Sequence, residues 1–414
     1  METRSADRTA RPWLMLALGV VGQASSTVFI SAPAFLIPLL HTERGLSLAQ
    51  AGLLASAPTL GMVLTLIAWG ALTDRIGERW VMASGLALTA FAAIGVIFAN
   101  GYLGIALFLL LGGMASASPN AASGRVVVGW FPKERRGLAM GIRQMCQPLG
   151  VAVAALTVPL LASIGGIPLA MTVPLVLTAV SAVLCAIWIV DPPKTKPATV
   201  AEAQALRINP YRAHALLWRI HAVSVLLVVP QFAVSIFGLV WLVSVWHYSP
   251  LSAGIVVGVS QFVGAIGRIG VGVLSDRVRS RLKPLRWVAV SAIVVMVLLA
   301  TTSWLGPWVA PVFLVIAAVV TVADNGLSYT SVAEIAGPGW SGRALGAQNT
   351  GQYIAASVVG PVVGLLITAF GYPIAFACVA LCPLAAIPLV PSDRELETRG
   401  LYVFAPPSAE TPAA

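Results

Sequence analysis

The chain has 414 residues, of which 58% are hydrophobic and 10% are charged, and a formal net charge of +10. Soluble globular domains carry roughly 25% charged residues, so this composition excludes a soluble protein. Several apolar runs reach the ~20 residues a helix needs to cross a hydrocarbon core, where an open sheet would leave its backbone unsatisfied; the expected fold is an all-α membrane protein.

In chain order, the apolar runs predict spans at about 13–40, 48–72, 80–99, 102–127, 138–162 and 167–190. A second set follows at about 216–243, 250–274, 285–304, 307–332, 343–369 and 373–391. Twelve transmembrane helices in two sets of six predict two pseudo-symmetric six-helix bundles, 1–190 and 214–391. Between them, 191–213 begins "DPPKTKPATVAEAQALRINPYR" and reads as a polar, proline-bearing linker; 392–414 reads as a solvated tail.

Basic residues near span ends stay on the cytoplasmic side. Arg4, Arg8 and Arg11 precede span 1, Arg75 and Arg79 follow span 2, and Lys133, Arg135 and Arg136 follow span 4. The linker, the segment Arg277 to Arg286 and the tail hold most of the others, and Arg44 stands on the opposite side. Both termini are therefore expected in the cytoplasm of a bacterium, with the protein multi-pass in its inner or plasma membrane. Topology accounts for the positive charge, so no nucleic-acid partner is expected. The first apolar run is long enough to span and lacks a small-residue cleavage site, which argues against a signal peptide. Cys146, Cys185, Cys378 and Cys382 all fall inside predicted spans, which leaves little basis for a disulfide or a zinc site.

The stretch "GALTDRIGER" closing span 2 recurs at the end of span 8 as "GVLSDRVRSR". Gly70, Leu72, Asp74 and Arg75 map onto Gly272, Leu274, Asp276 and Arg277 at an offset of 202, and Ser47, Ala51 and Gly52 map onto Ser249, Ala253 and Gly254 at the same offset. The halves are duplicated six-helix units. Here the chain resembles the major facilitator superfamily, whose loop between spans 2 and 3 carries a Gly-x-Leu-x-Asp-Arg-x-Gly-Arg-Arg type motif; this sequence has Gly70, Leu72, Asp74, Arg75, Gly77 and Arg79 there. It departs from the motif at Glu78, where a basic residue is usual, and at Arg279 in the second copy, where the first has Gly77.

Asp74 and Asp276 stand at span ends, where a carboxylate can meet the positive N-terminus of a neighbouring helix. The resemblance implies that those partners are the starts of span 11 near Arg343 and span 5 near Arg136. Gly70, Asp74, Arg75, Gly77, Arg79, Gly272, Asp276 and Arg277 would then gate the cytoplasmic side. The alternative is that these charges only anchor loops and set topology.

Polar residues within spans are the other informative set. At an offset of 205, Gly141, Arg143, Gln144 and Gln147 of span 5 fall on Gly346, Gln348, Asn349 and Gln352 of span 11. Each span places a polar pair at i and i+4 on one face. The resemblance implies that this face meets the central path, lined by Arg143, Gln147, Gln348 and Gln352; the alternative is helix packing through side-chain hydrogen bonds. Arg143 and Arg268 lie about two turns inside the cytoplasmic end. There they either converge to clamp an anion or snorkel to the interface. Asp324 is the carboxylate clearly within an apolar span, and its neighbour Asn325 falls on Asn120 at the 205 offset. It is either a proton carrier or the partner of an arginine such as Arg125 or Arg268. Glu334 reads as interfacial, Gln23, Gln231 and Gln261 are further cavity candidates, and Trp241 reads as belt or cavity wall.

The histidines 41, 214, 221 and 247 have no metal spacing, and no nucleotide-binding loop or nucleophile–base pair is present. No metal, cofactor or enzymatic activity is expected, and transport must be driven by a gradient. Span 5 has Gln147, Pro148, Leu149 and Gly150 where drug–proton antiporters of the superfamily usually carry a Gly-x-x-x-Gly-Pro-x-x-Gly type motif, while Gly360, Pro361 and Gly364 lie in span 11. That departure, with the two arginines, points to a proton-coupled symporter of a small organic or inorganic anion working by alternating access. The alternative is a proton-driven multidrug or metabolite efflux antiporter. The expected partners are a small-molecule substrate, membrane lipid and a coupling proton, in a monomeric protein.

Overall fold

Apolar segments surrounded by lipid must satisfy their N–H and C=O groups internally, and among the described residues helix is the regular structure throughout. The computed structural model describes residues 3–42, 48–99, 101–192, 209–302, 305–306, 308–399 and 401; Arg44, Ser47, linker positions 193–208 and most of the tail lie outside the described residues. The first half comprises α1 (Thr3–Phe35), α2 (Ile37–Thr42), α3 (Leu48–Ile76), α4 (Glu78–Phe98), α5 (Tyr102–Trp130), α6 (Arg136–Arg143) and α7 (Cys146–Trp188). The second comprises α8 (Pro210–Ala213), α9 (Leu216–Ser244), α10 (Pro250–Val278), α11 (Leu282–Thr301), α12 (Ala310–Thr321), α13 (Asp324–Ala336), α14 (Ser341–Ala386) and α15 (Asp393–Thr398).

α7 and α14 run for 43 and 46 residues, about twice the ~20 that one crossing needs. Each reverses at a glycine with positive φ, Gly166 at 66° and Gly371 at 79°, a conformation that side chains with a Cβ avoid. A proline two residues later, Pro168 or Pro373, then restarts the helix with its N–H already dispensable. Counting each as two passes gives the twelve crossings expected from the hydropathy.

Two predicted spans are each split. Span 5 breaks at Gln144–Met145, between α6 and α7, because Pro148 has no N–H to give the Gln144 carbonyl; the turn closes instead through Gln144 N–H to Met140 O and Met145 N–H to Ile142 O, both 3.0 Å. Span 10 breaks at Val322–Ala323, so that Asp324 opens α13.

Each half has its own apolar core, around Phe29, Leu109 and Val158 in the first and around Met296, Leu314 and Phe376 in the second. A third core joins the halves at the end that carries the basic loops. There Phe131, Ala139 and Met140 of the first half pack with Leu217, Leu285, Val332 and Leu345 of the second.

Candidate functional site

The basic end is held shut by backbone against backbone. A Cβ on Gly70 would stand 2.2 Å from the Gly342 carbonyl oxygen, and one on Gly272 equally close, 2.2 Å, to that of Gly137. Only glycine allows α3 to meet α14, and α10 to meet α6, this closely. One turn on, Asp74 accepts from the Gly342 and Arg343 N–H groups at 2.8 and 3.1 Å, and Asp276 from those of Gly137 and Leu138 at 3.0 and 2.9 Å. Each carboxylate thus caps the N-terminal end of a helix in the other half, where unpaired N–H groups and the helix dipole favour negative charge.

Ion pairs reinforce both caps. Arg125 bridges Asp74 at 3.0 Å and Glu78 at 2.9 Å, and Arg343 reaches Asp74 at 3.2 Å. Arg281 joins Asp276 to Glu334, which also takes Arg136 at 3.3 Å. Gly77, at φ 93°, lets the chain turn beneath Asp191, whose carboxylate accepts from the Glu78 and Arg79 N–H groups. Arg79 donates to the Ala186 carbonyl at 2.8 Å. Arg75 and Arg277 are both exposed at the same end.

Away from this end the halves part. Gly141 and Gly346 still touch the opposite half, their Cβ positions 2.7 Å from Arg268 O and 2.6 Å from Leu66 O; farther along, Gly52, Gly254 and Gly258 face nothing within 4 Å. Between the halves lies a small, open-mouthed cavity.

Its lining is built of carboxamides: Gln23, Asn120, Gln144 and Gln147 from the first half, and Gln231, Asn325, Asn349 and Gln352 from the second. Gln23 Nε2 donates to Asn120 Oδ1 at 3.1 Å, and Asn325 Nδ2 donates to Gln231 Oε1 at 3.0 Å. The second dyad repeats the first with donor and acceptor exchanged. Gln147 bridges the halves by donating to the Tyr353 hydroxyl at 2.7 Å. Gln352 accepts from Tyr329 at 2.8 Å and donates to Ser224 and Asn325. The Tyr329 hydroxyl also lies against Asn349 Oδ1, its one proton shared between the two amide oxygens, and Val228 and Phe232 supply apolar wall.

Two arginines lie behind this lining and meet at one residue. Arg143, 1% exposed, donates to Ser123 Oγ at 2.8 Å, Asn120 O at 2.9 Å and Gln144 Oε1 at 3.1 Å, and its guanidinium covers the Tyr329 ring at 5.4 Å. Arg268, 7% exposed, donates Nη1 to Gln144 O at 3.1 Å, the carbonyl that Pro148 leaves without its helical donor. Neither guanidinium snorkels outward, and among the described residues neither forms an ion pair. Asp324 is 1% exposed, and among the described residues no other residue donates to its carboxylate oxygens.

A family model described as the Major Facilitator Superfamily matches residues 19–361. The chain is 47% identical over 379 residues to an uncharacterised MFS-type transporter of Mycobacterium tuberculosis, covering 92% of this chain and 84% of the relative. The chain belongs to the Major Facilitator Superfamily. A hexuronate transporter of Bacillus subtilis is 23% identical over 177 residues, 43% of this chain and 41% of the relative. The structure of an MFS proton:xylose symporter superposes with a TM-score of 0.73 at 14% identity, covering 92% of this chain and 95% of that one. This Major Facilitator Superfamily protein is thus a multi-pass membrane transporter with the twelve-helix fold.

Several sequence expectations for this superfamily member meet a different geometry. Gln348 does not line the cavity: it lies one turn nearer the basic end than Gln352, and its Oε1 bonds His221 Nδ1, whose other nitrogen meets Tyr211 at 2.8 Å. Arg143, its counterpart at the 205 offset, is likewise one turn behind the lining. Gln261 is exposed, two turns from Arg268 along the same helical face, and is not among the lining residues. Trp241 is neither belt nor cavity wall; at 2% exposure it packs edge-on against Trp246 and Phe376 in the second half's core. Glu334 is buried between arginines of both halves instead of lying in the interface. Arg125 is taken by Asp74 and Glu78, so it does not serve Asp324. Tyr329 and Tyr353 escaped the sequence reading because an aromatic residue in an apolar span reads as core; the 205 offset did carry a signal for Asn120, Gln144 and Asn349.

Proposed function

We propose that this transporter carries a small hydroxylated organic anion by alternating access in symport with protons, the basic end and both termini facing the cytoplasm of a bacterial cell. One observation supports this above the others: eight carboxamides surround a cavity with no charged side chain in its lining, while two arginines without carboxylate partners among the described residues stand directly behind it. A carboxamide both donates and accepts, and pairs of them match the vicinal hydroxyls of a sugar-like ligand. Buried positive charge makes such a cavity attractive to an anion, since the interior screens poorly. The hexuronate transporter among the relatives is named for a ligand of this chemistry. Asp74 and Asp276 are the latches that keep the basic end closed, with Gly70, Arg75, Gly77, Arg79, Gly272 and Arg277 shaping their loops. Asp324 carries the coupling proton.

The test is a thermal-shift panel on detergent-purified protein, followed by uptake into proteoliposomes. Sugar acids are expected to raise the melting temperature, since a ligand at about 100 times its Kd adds ~2.7 kcal/mol to the folded state, and neutral sugars should do so less. Stabilisation by lipophilic cations alone would overturn the reading in favour of efflux. Asp74→Asn keeps the shape but weakens two backbone contacts and two arginine contacts. Its uptake rate should fall about tenfold, the effect of losing about 1.4 kcal/mol of charge-assisted bonding, with the ligand-induced thermal shift retained. Loss of binding with normal turnover at saturation would rule out the latch.

A further inference from the structure

Gln147 and Gln352 occupy matching positions in the two halves, yet their partners differ in kind. Gln352 meets Ser224, Asn325 and Tyr329, all of the second half, at 2.6, 3.1 and 2.8 Å. Gln147 makes one side-chain hydrogen bond among the described residues, and it crosses to the Tyr353 hydroxyl of α14 at 2.7 Å. The Asn120 carboxamide approaches the same oxygen from the first half. The Tyr353 ring arrives there by packing into a small cluster of Met62, Leu66 and Ala117, with Ile30 and Trp69 alongside. Among the described residues it is the one second-half side chain in that cluster. It also stands on the face of α14 that carries the sealing contacts. The Cβ positions of Gly342 and Gly346 lie 2.3 Å from Gly70 O and 2.6 Å from Leu66 O of α3; Tyr353 is two turns beyond Gly346 on the same face, and Ser357, one turn farther, is exposed. Tyr353 thus sits where the halves part, with the seal on one side and the cavity on the other. At the 205 offset its counterpart is Pro148, which has no hydroxyl to offer, so this tie exists on one side of the repeat alone.

We propose that the Tyr353 hydroxyl occupies a subsite for a ligand hydroxyl at Gln147, so that ligand and seal compete for one carboxamide and the basic end opens more readily when the site is filled. The proposal rests on the carrier reading above and adds which residue ties ligand binding to opening. A phenolic and a sugar hydroxyl each bring one donor and an accepting oxygen, and an oxygen 2.7 Å from Nε2 leaves no room for a second along the same N–H. With the basic end closed, a ligand must break the Gln147–Tyr353 bond to reach that N–H. Once α14 has moved from α3, Tyr353 is withdrawn with it and the N–H is free. The ligand therefore binds the opened conformation better by the worth of that bond, and a ligand shifts a conformational equilibrium by its difference in affinity for the two states. Without ligand the same bond favours the closed end, which limits opening of an empty carrier. Gln352, bonded within its own half, contributes no such difference.

The first measurement needs no transported solute. Spin labels are placed at Glu134 and Arg279, exposed residues at the basic end of opposite halves, in protein whose four native cysteines are replaced by alanine, and their separation is measured by double electron–electron resonance at fixed pH. The native pair should be close. Tyr353→Phe keeps the ring in its cluster and removes the oxygen, and Gln147→Met removes the other partner. Each should raise the ratio of separated to close pairs about fivefold, the worth of one neutral hydrogen bond, and the double variant should show no more than either alone. An unmoved ratio in both single variants, or additive effects in the double, would overturn the proposal whatever solute is carried. The second measurement is equilibrium binding of D-glucuronate, a sugar acid. Tyr353→Phe should bind it about fivefold more tightly than the native protein, since no bond has to be broken first, and Gln147→Met more weakly. Equal affinity in the native protein and Tyr353→Phe would overturn the competition and leave the carrier reading standing; no binding to either would overturn the substrate class and the competition together.

Discussion

Gly272→Val is expected to prevent the basic end from sealing and to lower uptake by about 10- to 100-fold, while Gly270→Val, two residues away on the same helix, leaves transport near normal. The first side chain would enter space already held by the Gly137 carbonyl 2.2 Å away, with Asp276 and Ser275 close to the same contact; the Cβ position of Gly270 faces nothing within 4 Å. Backbone cannot rotate aside as a side chain can, so the strain must be relieved by moving α10 from α6. Overpacking of this kind costs about 1–3 kcal/mol, which at ~1.36 kcal/mol per factor of ten is about 5- to 160-fold and brackets the stated range. Uptake into proteoliposomes checks the rate, and the spin-label separation checks the cause. Normal uptake by Gly272→Val would mean that this close approach is not part of the transport cycle.

Arg143→Met is expected to separate stability from function. The guanidinium is buried, donates to Ser123, Asn120 and Gln144, and has no ion-pair partner among the described residues. Losing the guanidinium relieves the cost of a buried charge without an ion-pair partner but takes a donor from three buried acceptors, so the melting temperature should change little. Anion affinity should fall about 100-fold, since removing one partner of a buried charge interaction costs roughly 2–5 kcal/mol. Equilibrium binding of whichever sugar acid stabilises the native protein checks this. A marked fall in melting temperature with unchanged affinity would make Arg143 a packing residue.

The duplicated sequence was informative wherever both copies had kept the same chemistry. Asp74 and Asp276 were legible as a pair because seven identities share one offset, and their partners near Arg343 and Arg136 followed from the superfamily resemblance. Gln147 and Gln352 were legible for a similar reason. The neighbouring positions Arg143 and Gln348 show the limit of that reasoning. Helical periodicity assigns an angle about the axis and says nothing of depth along it, so residues one turn behind a cavity lining look the same as residues in it. The pairing of Arg125 with Asp74 and Glu78 was hidden for another reason: partners about 50 residues apart on different helices leave no local pattern.

The sequence by itself determined the solvent of this protein, its twelve crossings and its two-fold repetition, because hydropathy and offset are properties of the chain that survive any packing. Where α6 and α7 part was not determined in this way: span 5 reads as one run, and Pro58, Pro119 and Pro230 sit within unbroken helices, so a proline alone does not fix a break. The tertiary structure decided which end is closed, that Arg143 and Arg268 converge on Gln144, and that Asp324 is left, among the described residues, without a side-chain partner. Those outcomes depend on how two helical bundles lie against each other, and the contacts that set this join residues far apart in the chain.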